Sequence, residues 1–343
     1  HCQEIISLNQ QENKVHLNIP IFPLMGLIYY EQGKYQSAYH CLEEGLNIAL
    51  STTNVSGQLE LLECLVRYGM ILNDETKASQ HYEHAKSIVI KVTDPDIKDD
   101  IFYRLGEIGW LLGKYDEALE FHRIARDAAY SKGDLKRIGV ILTNLVHRLK
   151  NIGRFDEAIQ YGMECLEIMK KLGRVHEIMD IYTVIGWTYR NQGNHVKALE
   201  MHQYSAELAR KYGRERFLAH YLGFCYVDLR LLGKFREAFE AITEALEIYR
   251  KLKMINLQVE VLTDLSVYHF WVGELEQALS VVNEATFLNQ TVHSKDKTNL
   301  LSMRRSYILM ETGHYQEAHT FLENAVDDMI KREVSWSDIP IHL

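Results

Sequence analysis

Proline is scarce in this chain: there are 4 in 343 residues, Pro20, Pro23, Pro95 and Pro340. Because proline breaks helix interiors, its rarity leaves room for long uninterrupted helices. Cysteine is also sparse, at Cys2, Cys41, Cys64, Cys165 and Cys225. The number is odd and no C-x-x-C pair occurs, so these read as buried free thiols in a reducing, cytoplasmic setting. Positive charge is in deficit: 38 Lys and Arg face 47 Asp and Glu, a formal net charge of −9. A general nucleic-acid binder would show the opposite balance, so no direct nucleic-acid partner is expected. No apolar run reaches the roughly 18 residues that a membrane-spanning helix needs. No signal peptide is visible, and a first residue of His1 rather than Met suggests a fragment or processed chain.

What the sequence does have is a period. Ala38, Ala78, Ala118, Ala158, Ala198, Ala238, Ala278 and Ala318 recur in strict register, with Gly33, Asn73, Gly113, Gly153, Gly193, Gly233, Gly273 and Gly313 five positions before them. Self-similarity at about 40 residues is the signature of stacked supersecondary units. Length alone would suggest two domains, whereas eight such units suggest one continuous solenoid in which each repeat packs on its neighbours.

One unit can be read in full. After Pro95, the residues Ile101, Phe102, Leu105, Ile108 and Leu112 fall at three- and four-residue spacing, which predicts an amphipathic helix A. Gly113-Lys114 breaks it. Asp116 and Glu117 then open helix B, where acids favour the helix N-terminus. Helix B carries Ala118, Phe121, Ala125 and Ala128 on one face and ends at Lys132-Gly133-Asp134. A second small position, seven residues after each alanine of the ladder, reads Gly45, Ala85, Ala125, Cys165, Ser205, Ala245, Ala285 and Ala325. Two small positions a heptad apart on one helix make a close-contact seam.

These residues carry a resemblance. Leu105-Gly106, Gly113, Tyr115, Ala118 and Ala125 resemble the tetratricopeptide repeat (TPR) signature. So do Met25-Gly26, Tyr29, Gly33, Tyr35 and Ala38, and likewise Ile185-Gly186, Tyr189, Gly193 and Ala198. The resemblance covers 19–338 and implies an all-α, right-handed superhelical solenoid of eight helix-turn-helix repeats, with a helical segment over 1–18 and a tail over 339–343. The usual period of the family is about 34. The longer period here should lengthen the helices or their connections, and it is similar to sensor arrays of STAND-type regulators, peptide-pheromone receptors and Pins-type scaffolds.

In the family so resembled, helix A lines a concave groove. Register then places Tyr103, Trp110, Asn144, His147, Lys150, Trp187, Arg190, Arg230 and Phe270 on that face, a basic-polar centre flanked by aromatics. Arginine with aromatics is the composition of binding hot spots. The expected partner is therefore a peptide or protein segment with acidic or carboxylate groups. Asn144 matches, in one repeat of eight, the asparagines with which pheromone receptors and Pins-type scaffolds clamp a peptide backbone. The positions matching the family's chaperone-tail clamp are Pro23, Glu63, Tyr103, Thr143, Thr183, Gly223, Thr263 and Met303; none is lysine, so no such clamp is expected.

Other patterns are weak. Gly106, Gly109 and Gly113 fall on helix A and its last turn with no strand before them, so they are not a phosphate loop. His81 and His84 lack further ligands on their face. His122 and His202 occupy equivalent packing positions. No nucleophile elbow, Walker motif or triad occurs, so no enzymatic activity, cofactor or metal is expected. The reading is a noncatalytic, ligand-sensing binding module of a regulatory protein. A constitutive assembly scaffold is the alternative, with the groove incidental or filled by the chain's own termini, including Trp336, Ile339 and Ile341.

Overall fold

Helices dominate because the apolar residues recur at helical spacing, and most breaks carry a residue, usually glycine, in the left-handed region. The computed structural model describes residues 18–331. The segment 1–17 and the tail from 332, with Cys2, Trp336, Ile339 and Ile341, lie outside the described residues. In chain order the helices are α1 (Ile21–Glu31), α2 (Tyr35–Leu50), α3 (Val55–Ile71), α4 (Glu75–Val89), α5 (Lys98–Leu111), α6 (Tyr115–Ser131), α7 (Leu135–Asn151), α8 (Phe155–Lys171), α9 (Val175–Asn191), α10 (His195–Lys211), α11 (Glu215–Leu231), α12 (Phe235–Lys251), α13 (Ile255–Trp271), α14 (Leu275–Val292), α15 (Lys295–Glu311) and α16 (Tyr315–Lys331). No strand occurs among the described residues. The chain is an all-α helical-repeat solenoid in which odd-numbered helices are the A members and even-numbered helices the B members.

The extra length of the repeat goes into the helices. Most run 17 residues, as α6 and α7 do, and short turns such as Leu112-Gly113-Lys114 connect them. At that turn Gly113 sits at φ 71, its N–H donating to the Trp110 carbonyl at 3.1 Å while Lys114 N–H donates to Gly109 at 3.0 Å. These bonds use carbonyls that the helix end leaves without partners, and the positive φ explains the recurrent glycine. Asn73, at φ 57, fills the same place in the second repeat, where asparagine is the tolerated substitute.

Contacts group the chain into two compact units. The first holds residues to 152 together with 163–172; the second holds 153–162 and residues from 173. Within each, consecutive helices pack in sequence, and A helices also touch the next A helix, as α3 does α5 and α13 does α15. The first core gathers residues such as Leu42, Leu62, Tyr82, Ile101 and Leu105. The second gathers Leu218, Tyr226, Ile242, Leu246 and Val259.

The alanine ladder is buried throughout: seven of its members are 0% exposed and Ala318 is 2% exposed. The second small position is buried in every repeat as well. Gly45 shows why it must be small, since a Cβ there would lie 2.5 Å from the Phe22 ring. The Leu-Gly and Ile-Gly pairs of helix A have the same cause. A Cβ on Gly106 would lie 2.8 Å from the His122 ring, and one on Gly186 would lie 2.7 Å from His202. The two histidines are thus wedges filling the hollow that a helix-A glycine leaves.

This predicts opposite outcomes for two glycine-to-alanine changes. Gly186→Ala forces a fully buried ring to move and should cost about 1–3 kcal/mol. Gly223, inside α11, has nothing within 4 Å of the added carbon. There, Gly223→Ala should stabilise by about 0.5–1 kcal/mol, through helix propensity alone. Urea denaturation of the two variants checks both signs.

Candidate functional site

In the first unit, the A helices α3, α5 and α7 present a polar network rather than a bare groove. Tyr103 packs at a tilt against the His122 ring, with centroids 5.3 Å apart, lies under Arg137 at 4.7 Å, and accepts a hydrogen bond from Asn144 Nδ2 at 2.5 Å. Trp110 contacts Tyr115 at 4.9 Å and carries Arg148 over its face at 5.1 Å. Arg148 is also ion-paired to Glu107. Tyr103, Trp110 and Asn144 therefore serve internal contacts. His147 is exposed, and Lys150 is half-buried, with burial holding its ammonium below the usual lysine range.

Beneath this network lies a buried acid–base pair. His122 is 0% exposed, and its Nε2 lies 3.1 Å from Glu107 Oε1, but out of line for a hydrogen bond. Burial, reinforced by the Arg148 charge, pushes the imidazole down to about 4. Burial pushes the Glu107 carboxyl up, against the pull of Arg148.

In the second unit the equivalent histidine finds a true partner. His202 Nδ1 and Asp228 Oδ2 are 2.5 Å apart, and Arg190 Nε donates to Asp228 Oδ1 at 2.6 Å. Arg190 also donates to the Phe224 carbonyl at 2.9 Å. His202 and Asp228 are both 0% exposed. Arg190 thus neutralises a buried carboxylate and is held in place by it, and Trp187 stands half-buried on the same helix. Asp228 was missed from the sequence. Its signal is that the corresponding positions, Ile28, Tyr68, Ile108, Arg148, Thr188, Tyr268 and Ile308, carry no carboxylate, and most are large and uncharged.

Further along the same unit, α13 and α15 open a cavity of about 400 Å³ lined by Ser266, Val267, Phe270, Trp271, Arg304, Tyr307 and Ile308. Phe270 is braced from behind by Ala278, Val282 and Ile308. Trp271 remains 60% exposed and Tyr307 37%. Behind the cavity, Asp264 lies within the fields of Arg230 and Arg304, while Tyr226 donates its hydroxyl to the Asp264 carbonyl oxygen at 2.9 Å. Burial raises the Asp264 carboxyl to about 6, against the pull of both guanidiniums, and burial pushes Arg304 down. Of the sequence candidates, Phe270 lines this cavity, and Arg230 stands behind it with its guanidinium over Tyr226 at 5.8 Å.

Other sequence patterns resolve into structure. His81 hydrogen-bonds Tyr39 at 2.7 Å. Among the described residues no group of three or more His, Cys, Asp and Glu is placed to hold a metal, and no helix is long and apolar enough to cross a membrane. Burial raises the thiols of Cys41 to about 11 and of Cys64 and Cys225 to about 12, so they are poor nucleophiles.

A family model for the tetratricopeptide repeat matches residues 137–211. No curated protein matches the sequence. Among solved structures, the apo form of RapI is similar with a TM-score of 0.65 at 14% identity, over 92% of this chain and 87% of that one. A Signal Transduction ATPase with Numerous Domains (STAND) from Pyrococcus horikoshii, bearing a TPR sensor, is similar with a TM-score of 0.59 at 15% identity. That match covers 94% of this chain and 48% of the ATPase. BtubC from P. vanneervenii gives 0.51 at 21% identity, over 65% of this chain and 92% of that one. At these identities the likeness is one of fold.

Two predictions follow from the buried charges. Asp228→Ala strands His202 and Arg190, and should cost about 3–5 kcal/mol in chemical denaturation. The second concerns His122. Its folded value lies near 4 against 6.5 in the unfolded chain, so the unfolded chain takes up the proton first. Stability should therefore fall as pH drops from 6.5 to 4 and stop falling on this account below that, a loss of roughly 3 kcal/mol. His122→Gln should lose measurably less stability across the same window; an identical pH profile would exclude the histidine as the cause.

Proposed function

We propose that this chain, part of which matches the tetratricopeptide repeat, is a noncatalytic binding module that holds a peptide or protein segment against the A helices. The observation that carries this reading is the cavity between α13 and α15. Its walls combine exposed aromatics with an arginine, at positions where the repeat seam makes no demand. Aromatic and arginine anchors around a concave, mostly apolar space are the usual core of a binding hot spot. Phe270, Trp271, Tyr307 and Arg304 are the contacts we assign in the second unit, with Arg230 supporting them from behind. Trp187 is a further contact there, and His147 and Lys150 are contacts of the first unit. Tyr103, Trp110, Asn144 and Arg190 act by positioning these groups, because their own polar atoms or ring faces are already engaged.

Ligand charge follows from the same residues. The contacts are basic or aromatic, so the favoured segment carries carboxylates. We further propose a regulatory role, in which occupancy is sensed and passed to another part of the protein; the Pyrococcus ATPase carries its repeats as a sensor, and we extend that role to this chain.

Selection from a random peptide display library against the purified chain should enrich binders. The pair Trp271→Ala and Tyr307→Ala should weaken them by roughly tenfold or more, about 1.4 kcal/mol, with an unchanged helical circular-dichroism spectrum. A selection that enriches nothing, or binders indifferent to the pair, would contradict the assignment.

A further inference from the structure

The second unit holds another cavity, away from α13 and α15. It measures about 480 Å³ and lies between the turn that opens α9 and the turn that opens α11. Its deeper wall is apolar: Met179 is 2% exposed, and Val175 and Phe217 pack against the core of the unit. Tyr212 stands at the edge, 49% exposed. The rim carries Arg174, His176, Glu177 and Arg214.

The charges at this rim do not balance. His176 lies 3.6 Å from Asp180, with its ring 4.8 Å from that of Phe217. Arg174 reaches Glu177 at 3.5 Å, an exposed pair within one helical turn. Such pairs contribute little, so Arg174 can turn to a better anion. Arg214 has no hydrogen bond, ion pair or ring contact from its side chain among the described residues. Neither arginine serves the start of its helix. At the same place one repeat earlier, Asp134 accepts a hydrogen bond from the Arg137 N–H at 3.0 Å, and a guanidinium has no acceptor with which to do so. Two guanidiniums thus meet at one cavity, and Glu177 is the one acid in its lining.

A ligand for this space needs two parts. The volume falls within the range of small-molecule sites. A bare anion would occupy the rim and leave the wall of Val175, Met179 and Phe217 facing water. Tyr212 and Phe217 flank Arg214 in sequence, so a ring packed on either places its substituent beside that guanidinium. Arg174 and Arg214 open successive A helices, so an anion that meets both must offer oxygens in more than one direction. A carboxylate presents two oxygens in one plane, which a single guanidinium takes up as a fork. A phosphate monoester presents three, with a charge of about −1.5 to −2 at pH 7. We propose that this cavity binds a nucleoside monophosphate, with its base against Phe217 and Tyr212 and its phosphate between Arg174 and Arg214. Aromatic side chains stack on every base, so the site selects the class rather than one nucleotide. The cavity is separate from the peptide-binding one and stands or falls independently of it.

Isothermal titration calorimetry of the full chain tests this with the adenosine, guanosine, cytidine and uridine monophosphates. Their nucleosides, inorganic phosphate and O-phosphotyrosine are titrated alongside. At least one monophosphate should bind roughly tenfold or more tightly than either its nucleoside or inorganic phosphate. Arg214→Gln should weaken it roughly tenfold and leave the thermal midpoint of the free chain unchanged, since the side chain is exposed and unpaired. The comparison of monophosphate with nucleoside needs no variant, so it decides even if Arg214→Gln disturbs the fold. Binding of none of the four, a nucleoside as tight as its monophosphate, or full affinity in Arg214→Gln would overturn the inference. So would inorganic phosphate binding as tightly as the nucleotides, which reduces the site to a simple anion patch. Binding of O-phosphotyrosine alone would overturn it in favour of a phosphopeptide.

Discussion

Everything in this chain depends on how closely helix B can approach helix A. That distance is set by two small residues a heptad apart on each B helix, buried in every repeat. A larger side chain at either place would push the pair apart, because packed interiors do not yield without strain. Once the approach is fixed, the A helices are held in register by their neighbours rather than by their own outward side chains. Those outward positions are then free to differ between repeats, and they do: the row that begins Leu27, Arg67, Glu107 continues His147, Trp187, Val227, Val267 and Tyr307.

The repeats use that freedom in two ways. Some turn it inward. Arg190 reaches a fully buried carboxylate on the next A helix, and Asn144 reaches back to Tyr103 on the preceding one. These polar ties cost desolvation energy and gain orientation, since each fixes the relative rotation of consecutive repeats. Others leave the outward positions open, and around Phe270 and Tyr307 an aromatic-walled cavity results. A cavity already open between two A helices spares the ordering cost that an unformed site would meet on binding.

The period, the helix boundaries and the seam were legible in the sequence because they rest on local spacing and on residue size. Gly113 and Ala118 announce their roles within a few positions. The wedge role of His122 and His202 was not legible, because what it requires is a glycine on the partner helix, as at Gly106 and Gly186. Arg190 read as a groove residue from its row, and only the structure shows Asp228 holding it, since the two lie 38 positions apart in sequence. The cavity was half visible. Phe270 stood out by type, but Arg304 and Tyr307 joined it only once α13 and α15 were seen side by side. Register assigns a face; it does not say which side chains on that face are already engaged.

The central claim is that the seam holds the A helices so that the space between α13 and α15 receives part of a bound peptide. A crystal structure of the protein with a peptide selected for binding tests it most directly. The account predicts an apolar side chain of the peptide among Phe270, Trp271 and Tyr307. A peptide lying on the B helices, or one that crosses the A helices and leaves this cavity empty, would contradict it.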